Sequence, residues 1–285
     1  MKKFLYILAT IIVILALFLK IISVWNKDTI ESDDKYVDIS STNTCIALDY
    51  HRVREKNLWN MALEKIVKPD ELTHYSVYDY DFAKQMDRLI EEGAYFATLD
   101  EVEIFRKNNS FPEKCVWICF DDADDTLYKN TYPILKERNI PFTIFVIAGQ
   151  VGNKDFSNLS LCTWDQLKEM RDSGLASFGS HTYDMHYFED NGAKFLTKDV
   201  YKEFYEDIKK SKEVLEAELG VEISSIAYPF GESSDALAEL TEKAGFRNGF
   251  ILAPYPITGD NDDYYQNRYM IDRNNFNLIM DSWLN

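Results

Sequence analysis

Short apolar runs and helix-spaced stripes take turns along most of this chain. Runs at 44–50, 95–98, 115–120, 142–147, 176–181, 224–228, 249–252 and 268–271 have the length and apolar content of strands. Between them, 79–92, 99–107, 126–138, 163–173, 198–219, 233–244 and 275–283 predict helices. In the first helix Phe82, Met86, Leu89 and Ile90 form one stripe, and Gly93 ends it. The segment 163–173 opens on Thr163 with Gln166 three residues on, and the two that follow stop at Gly220 and Gly245. This rhythm predicts an α/β fold with a parallel sheet and outer helices. Seven or eight strands suit a distorted (β/α) barrel, in which chemistry sits on the loops after the C-terminal strand ends.

The first 25 residues break the pattern. Lys2 and Lys3 precede an apolar run at 4–19, Lys20 interrupts it, and 21–25 complete it. That length is close to the ~20 residues of a membrane-spanning helix. No small-x-small cleavage site follows clearly, so the reading is an uncleaved signal-anchor in preference to a cleaved signal peptide. Either way the two lysines stay inside and the remainder is exported, to the outer face of the cell membrane or beyond it, associated with the cell wall. Residues 26–43 read as a polar linker and 44–285 as one domain, expected to be monomeric.

Charge narrows the partners. The chain has 31 basic and 48 acidic residues, a formal charge of −17. Without 1–25, which hold three lysines and no acids, the charge is about −20. Such a surface repels nucleic acid and tolerates a polycation. The four cysteines, Cys45, Cys115, Cys119 and Cys162, are few for an exported domain. On one strand Cys115 and Cys119 would lie roughly 13 Å apart and cannot bridge. Buried free thiols are the expectation for all four.

The candidate chemistry lies at strand exits. The chain has four histidines, and His51, His181 and His186 fall at or just after strand ends. Asp121 and Asp122 follow the run 115–120. Adjacent carboxylates at the mouth of a buried strand repel each other and are costly to desolvate without a cation. An Asp with two His can hold a divalent ion and leave positions open for water. Asp124, Asp125 and Thr126 fit a helix cap better than a ligand role. His181 and His186 are too far round a helix to share one face, but a turn after a strand can bring both to one ion. This pattern points to metal-assisted hydrolysis.

With these motifs on the page, the sequence resembles polysaccharide deacetylases of the NodB-homology type, carbohydrate esterase family 4. The likeness rests on Phe120-Asp121-Asp122, Ser180-His181-Thr182 through His186, and Tyr228-Pro229-Phe230-Gly231. Leu48 to Val53, the segment 76–82, Val116-Trp117-Ile118, Asp263-Tyr264-Tyr265 and Arg268 extend it to the biofilm-adhesin subgroup, which acts on poly-β-1,6-N-acetylglucosamine. The resemblance spans 44–285 and implies a distorted (β/α) barrel. It implies that Asp122, His181 and His186 hold a divalent metal, zinc first, with cobalt, nickel or iron also suited. It implies Asp121 as general base for the attacking water, the Phe230 main-chain N–H as an oxyanion donor and His51 as general acid. Many relatives carry the acid histidine near the C-terminus. Here no histidine follows His186, and His74 sits in a polar stretch, so His51 takes that role.

Three departures from the family pattern stand out. Ala123 replaces a common Gly after the acid pair, so the turn is expected to avoid positive φ. The two histidines are five apart rather than four. Ala227 stands where many relatives have an arginine orienting the base, and Arg268 is expected to take over from a neighbouring strand end. Tyr183, Tyr187 and Trp164 are candidate sugar-facing rings, and Asp184 is a candidate support for a ligand histidine. The expected activity is metal-dependent N-deacetylation of an N-acetylglucosamine exopolysaccharide. A peptidoglycan or chitin-oligomer deacetylase is the alternative, and a non-catalytic carbohydrate-binding envelope protein a further one.

Overall fold

The computed structural model describes residues 42–58, 60–61, 74–189 and 192–284. The expected membrane segment 1–25 and most of the expected linker 26–43 lie outside them. Among the described residues no helix is long and apolar enough to cross a membrane.

Twelve strands are described: β1 (Cys45–Tyr50), β2 (Arg52–Arg54), β3 (Ser76–Tyr78), β4 (Tyr95–Phe96), β5 (Cys115–Phe120), β6 (Phe142–Val146), β7 (Ala176–Ser180), β8 (Phe188–Glu189), β9 (Gly192–Ala193), β10 (Ser225–Ala227), β11 (Asn248–Phe250) and β12 (Tyr269–Met270). Eight of them form one sheet in the order β11-β10-β7-β6-β5-β1-β12, with β4 beside the start of β5, and every pairing is parallel. The run leading into β12 ties the two ends together. Gln266 and Arg268 bond to the exit of β11 through Gln266 N–Gly249 O, Ile251 N–Gln266 O and Ala253 N–Arg268 O. The next two residues pair with Leu48 and Asp49 of β1. The result is a barrel-like sheet consistent with the expected architecture. Two small pairs, β2–β3 and β8–β9, lie outside it and were not expected from the sequence.

The α-helices described are α1 (Asp79–Glu91), α2 (Leu99–Lys107), α3 (Tyr132–Arg138), α4 (Trp164–Asp172), α5 (Tyr201–Leu219), α6 (Asp235–Lys243) and α7 (Asn275–Leu284). Capping boxes at Thr98–Glu101 and Thr163–Gln166 start α2 and α4. The segment 126–138 is not one α-helix. A π-helical turn at Leu127–Thr131 precedes α3. Pro133 supplies no N–H to the carbonyl four residues back, so the regular ladder begins only after it.

Both faces of the central strands are buried, which is why their sequences read as apolar runs, interrupted at Asp49 and Thr143. Ile46, Leu48 and Tyr50 with Val116, Ile118 and Phe120 face the helices. Cys45 and Ala47 with Cys115, Trp117 and Cys119 face the interior, beside Phe145 and Phe250. Small residues make room for these rings. A Cβ on Gly179 would fall 2.4 Å from the Phe145 ring. By strand alternation the next inward positions are Asp49 on β1 and Asp121 just past β5, so these carboxylates stand at the C-terminal rim of the interior.

The cysteine expectation is corrected here. Cys45 and Cys115 are disulfide-bonded, and only Cys119 and Cys162 are free, buried thiols. They are direct register partners on β1 and β5, with Cα atoms 4.5 Å apart. Spacing along one strand could not reveal a partner across the sheet.

Candidate active site

Asp121 and Asp122 leave β5 in opposite roles because the backbone turns sharply there. Asp122 has φ 68° and Ala123 φ 60°, so the expectation of a turn without positive φ is wrong. Each non-glycine residue held this way costs on the order of 1–3 kcal/mol. The turn is fixed by Ala123 N donating to Asp121 O and Cys162 N donating to Ala123 O, both at 2.9 Å.

Asp121 points inward to Arg268. Arg268 Nη1 and Nη2 donate to Asp121 Oδ1 and Oδ2 at 2.7 and 2.8 Å, with both residues buried. Burial alone would raise the Asp121 pKa, but Arg268, with His181 and His51, holds the carboxyl well below the usual range. Arg268 Nη1 also donates to Asp49 Oδ1 at 3.0 Å. Burial raises Asp49 well above its ordinary value, with Arg268 opposing. The other Asp49 oxygen lies 3.6 Å from His51 Nδ1. Burial pushes the His51 pKa down, with Asp122 and Asp121 opposing. Two carboxylates thus share one guanidinium, and the second leans on the histidine. With Nδ1 turned to Asp49, Nε2 is the nitrogen left for the cleft.

Asp122 points the other way. Its Oδ1 lies 3.3 Å from His186 Nε2 and 3.6 Å from His181 Nε2. Among the described residues this buried oxygen has no hydrogen-bond partner. His181 Nδ1 donates to Ala227 O at 2.8 Å, which leaves Nε2 with its lone pair. Burial lowers the His186 pKa to about 4, so its ring is neutral near pH 7. Three converging donor atoms, one of them a buried carboxylate oxygen without a proton donor, fit a divalent cation. A second group of possible ligands, Asp49, His51 and Asp121, does not fit one, because the Arg268 guanidinium already bonds both carboxylates.

The convergence of His181 and His186 depends on Thr182, a β-branched residue at φ 72°. Ala148 N and Gly149 N donate to Thr182 O and Tyr183 O at 3.1 and 2.8 Å. A Cβ on Gly149 would stand 2.6 Å from Tyr183 O, so only glycine allows this approach. Asp184 accepts from Gln150 rather than supporting a histidine, contrary to expectation. The carbonyl of Ala227 does that for His181.

Of these groups His51, Asp122 and His186 line a cleft of about 500 Å³, bounded also by Arg52, Tyr75, Phe156, Leu159, Tyr187, Phe230 and Leu252. Phe230, at φ 60°, packs its ring against that of His186, with centroids 4.6 Å apart and the planes tilted by 46°. Tyr187 lines the cleft and is exposed. Trp164 and Tyr183 instead pack against the core, and neither lines this cleft.

Three residues here had no assigned role from the sequence. Asp49 has a signal: it is an acid inside an apolar strand, two residues before His51 and so on the same face. Arg52, 3.8 Å from Asp122 Oδ2, and Phe156, on a two-residue hairpin at Ser157-Asn158, gave no local signal.

Comparison with known proteins agrees with this architecture. The polysaccharide deacetylase family profile matches residues 108–249. The poly-β-1,6-N-acetyl-D-glucosamine N-deacetylase of Staphylococcus aureus (strain MRSA252) is 37% identical over 241 residues, 85% of this chain and 83% of the relative. The structure of IcaB from Ammonifex degensii superposes with a TM-score of 0.74 at 32% identity, over 85% of this chain and 97% of that one. The Streptococcus pyogenes deacetylase PplD, in complex with acetate, gives 0.69 at 25% identity, over 85% and 98%.

Proposed function

This chain belongs to the polysaccharide deacetylase family, and from that premise we propose that it removes N-acetyl groups from poly-β-1,6-N-acetylglucosamine outside the cell. The observation that carries the reading is the close grouping, at the strand exits, of an arginine-held carboxylate, an acid-backed histidine and a three-donor metal site.

Asp122, His181 and His186 would hold the divalent metal, for which zinc is our first choice. When bound, such an ion supplies Lewis acidity, acidifying water and polarising the acetyl carbonyl. Asp121, kept ionised and aimed by Arg268, takes a proton from water as its oxygen attacks that carbonyl. The Phe230 main-chain N–H would donate to the developing oxyanion. His51 gives a proton to the amide nitrogen as the C–N bond breaks, releasing acetate and leaving an amine on the sugar. Asp49, 3.6 Å from Nδ1, favours a proton staying on that nitrogen while Nε2 gives its own up. Acetate is also the molecule held by the Streptococcus pyogenes relative.

Export through an N-terminal anchor followed by a polar linker suits a polymer made at the cell surface, with 44–285 as the deacetylase domain. The Cys45–Cys115 disulfide fits an oxidising compartment. Tyr187 is the sugar-facing ring we retain. Acetate release from β-1,6 and β-1,4 N-acetylglucosamine oligomers, with and without chelator, tests the reading. Metal-dependent release from the β-1,6 oligomer, lost in Asp121→Asn, is expected. Release from the β-1,4 oligomer alone would overturn the substrate, and chelator-resistant release would overturn the mechanism.

A further inference from the structure

We propose that Asp207 on α5 is a positioning residue for the metal-binding turn, acting with Ser211 one helical turn on. The inference rests on the reading of Asp122, His181 and His186 as the metal site. The two histidines are separated by four residues, and their approach requires the left-handed Thr182 between them. Part of the restraint comes from a helix more than 20 residues later in the chain.

Asp207 Oδ1 accepts from Tyr183 N at 2.7 Å, and Oδ2 accepts from Asp184 N at 2.9 Å. One carboxylate therefore fixes two successive amides midway between the ligands. Ser211 lies four residues on, so it shares this face of α5. Its hydroxyl donates to Thr182 O at 3.1 Å and sits 2.7 Å from Ser180 Oγ. Ser180 Oγ in turn accepts from Thr182 N at 3.1 Å. Lys210, on the same helix, lies 3.6 Å above the Tyr183 ring. From the opposite side Ala148 and Gly149 bond the carbonyls of Thr182 and Tyr183.

The turn is thus gripped amide by amide from α5 and carbonyl by carbonyl from the loop after β6. Burial raises the Asp207 pKa to about 6, with the bonds from Tyr183 N and Asp184 N opposing, so the acid is held there at a desolvation cost. An acid kept at such a cost solely for helix packing would be replaceable by an apolar residue. Its two bonds instead end on the segment that sets the spacing of His181 Nε2 and His186 Nε2. Removing them leaves the fold's sheet intact and lets the two ligand nitrogens drift apart.

The test uses the full chain, stripped of metal, with Zn²⁺ titrated against a chromophoric chelator and Co²⁺ absorption recorded in parallel. Asp207→Ala and the near-isosteric Asp207→Asn are expected to weaken Zn²⁺ binding about ten-fold or more, the scale seen when groups behind metal ligands are removed. Ser211→Ala should weaken it less, and Glu206→Gln, an exposed neighbour on α5, not at all. The Co²⁺ spectrum should change in the Asp207 variants. Melting of the metal-free proteins is followed alongside. A lower melting temperature with Zn²⁺ affinity within two-fold of the parent would show a merely structural role and overturn the proposal. Asp207→Asn decides the matter if Asp207→Ala does not fold. His181→Ala is the separate control: retained stoichiometric binding there would sink the metal reading itself, whatever the Asp207 variants do.

Discussion

Arg268 and Asp121, 147 residues apart in sequence, meet inside the barrel through two parallel hydrogen bonds at 2.7 and 2.8 Å. Removing the guanidinium leaves two buried carboxylates, Asp121 and Asp49, without their cation. Arg268→Ala is therefore expected to cost about 3–5 kcal/mol of stability. It should lower kcat/KM about a hundred-fold or more through loss of aim. Urea unfolding and acetate-release kinetics measure both. Activity close to the parent's would mean the base does not need this arginine.

His51 stands apart from the three metal donors, so its removal should separate chemistry from metal binding. His51→Ala is expected to lower kcat by about 10²–10⁴-fold while Zn²⁺ affinity stays unchanged. Asp49→Asn should lower kcat less and alter the pH profile, because it changes what faces Nδ1 at 3.6 Å. A parallel loss of metal in His51→Ala would place His51 among the ligands instead.

The Cys45–Cys115 disulfide closes a loop across a sequence separation of 70. Loop-closure entropy alone gives about 4 kcal/mol for a loop of this size. Reduction with dithiothreitol should lower the urea midpoint accordingly, and the Cys119 and Cys162 thiols, both buried, should add nothing. An unchanged midpoint on complete reduction would show that β1–β5 pairing holds the barrel without the link.

Asp207 should leave a mark on stability against pH. Its folded pKa of about 6 lies above the ordinary 3.8, so between these values the native state binds the extra proton. Its contribution is therefore most favourable below about pH 4 and is lost as pH rises to about 6. The full loss is on the order of 3 kcal/mol. Asp207→Asn lacks this titration, so the difference in unfolding free energy between variant and parent should shift in the variant's favour across that window. A difference that is flat with pH would rule out a buried, ionising Asp207.

Much of the fold was legible because the core is layered by simple periodicity. Apart from Asp49, the runs at 45–50 and 115–120 are apolar since both faces are covered, and Thr163 announces a helix start. The 126–138 helix misread came from Pro133, whose missing N–H has its effect one turn earlier. Ala123 misled because steric preference argues against positive φ, whereas hydrogen bonds from Ala123 and to its carbonyl enforce it. Trp164 and Tyr183 look like cleft rings in sequence, but their neighbours are core residues.

The sequence by itself determined which groups stand at the strand exits. His51, Asp121, Asp122, His181 and His186 follow β-runs, and in a parallel barrel all such exits share one rim. What it left open is every relation across the sheet. Register places Cys45 beside Cys115, closure through 266–270 brings Arg268 to Asp121 and Asp49, and α5 delivers Asp207 to the turn between the histidines. Local periodicity fixes the direction of a side chain relative to its own strand or helix. The partner it meets depends on which strands pair and in what register, and that is settled only when the whole core packs.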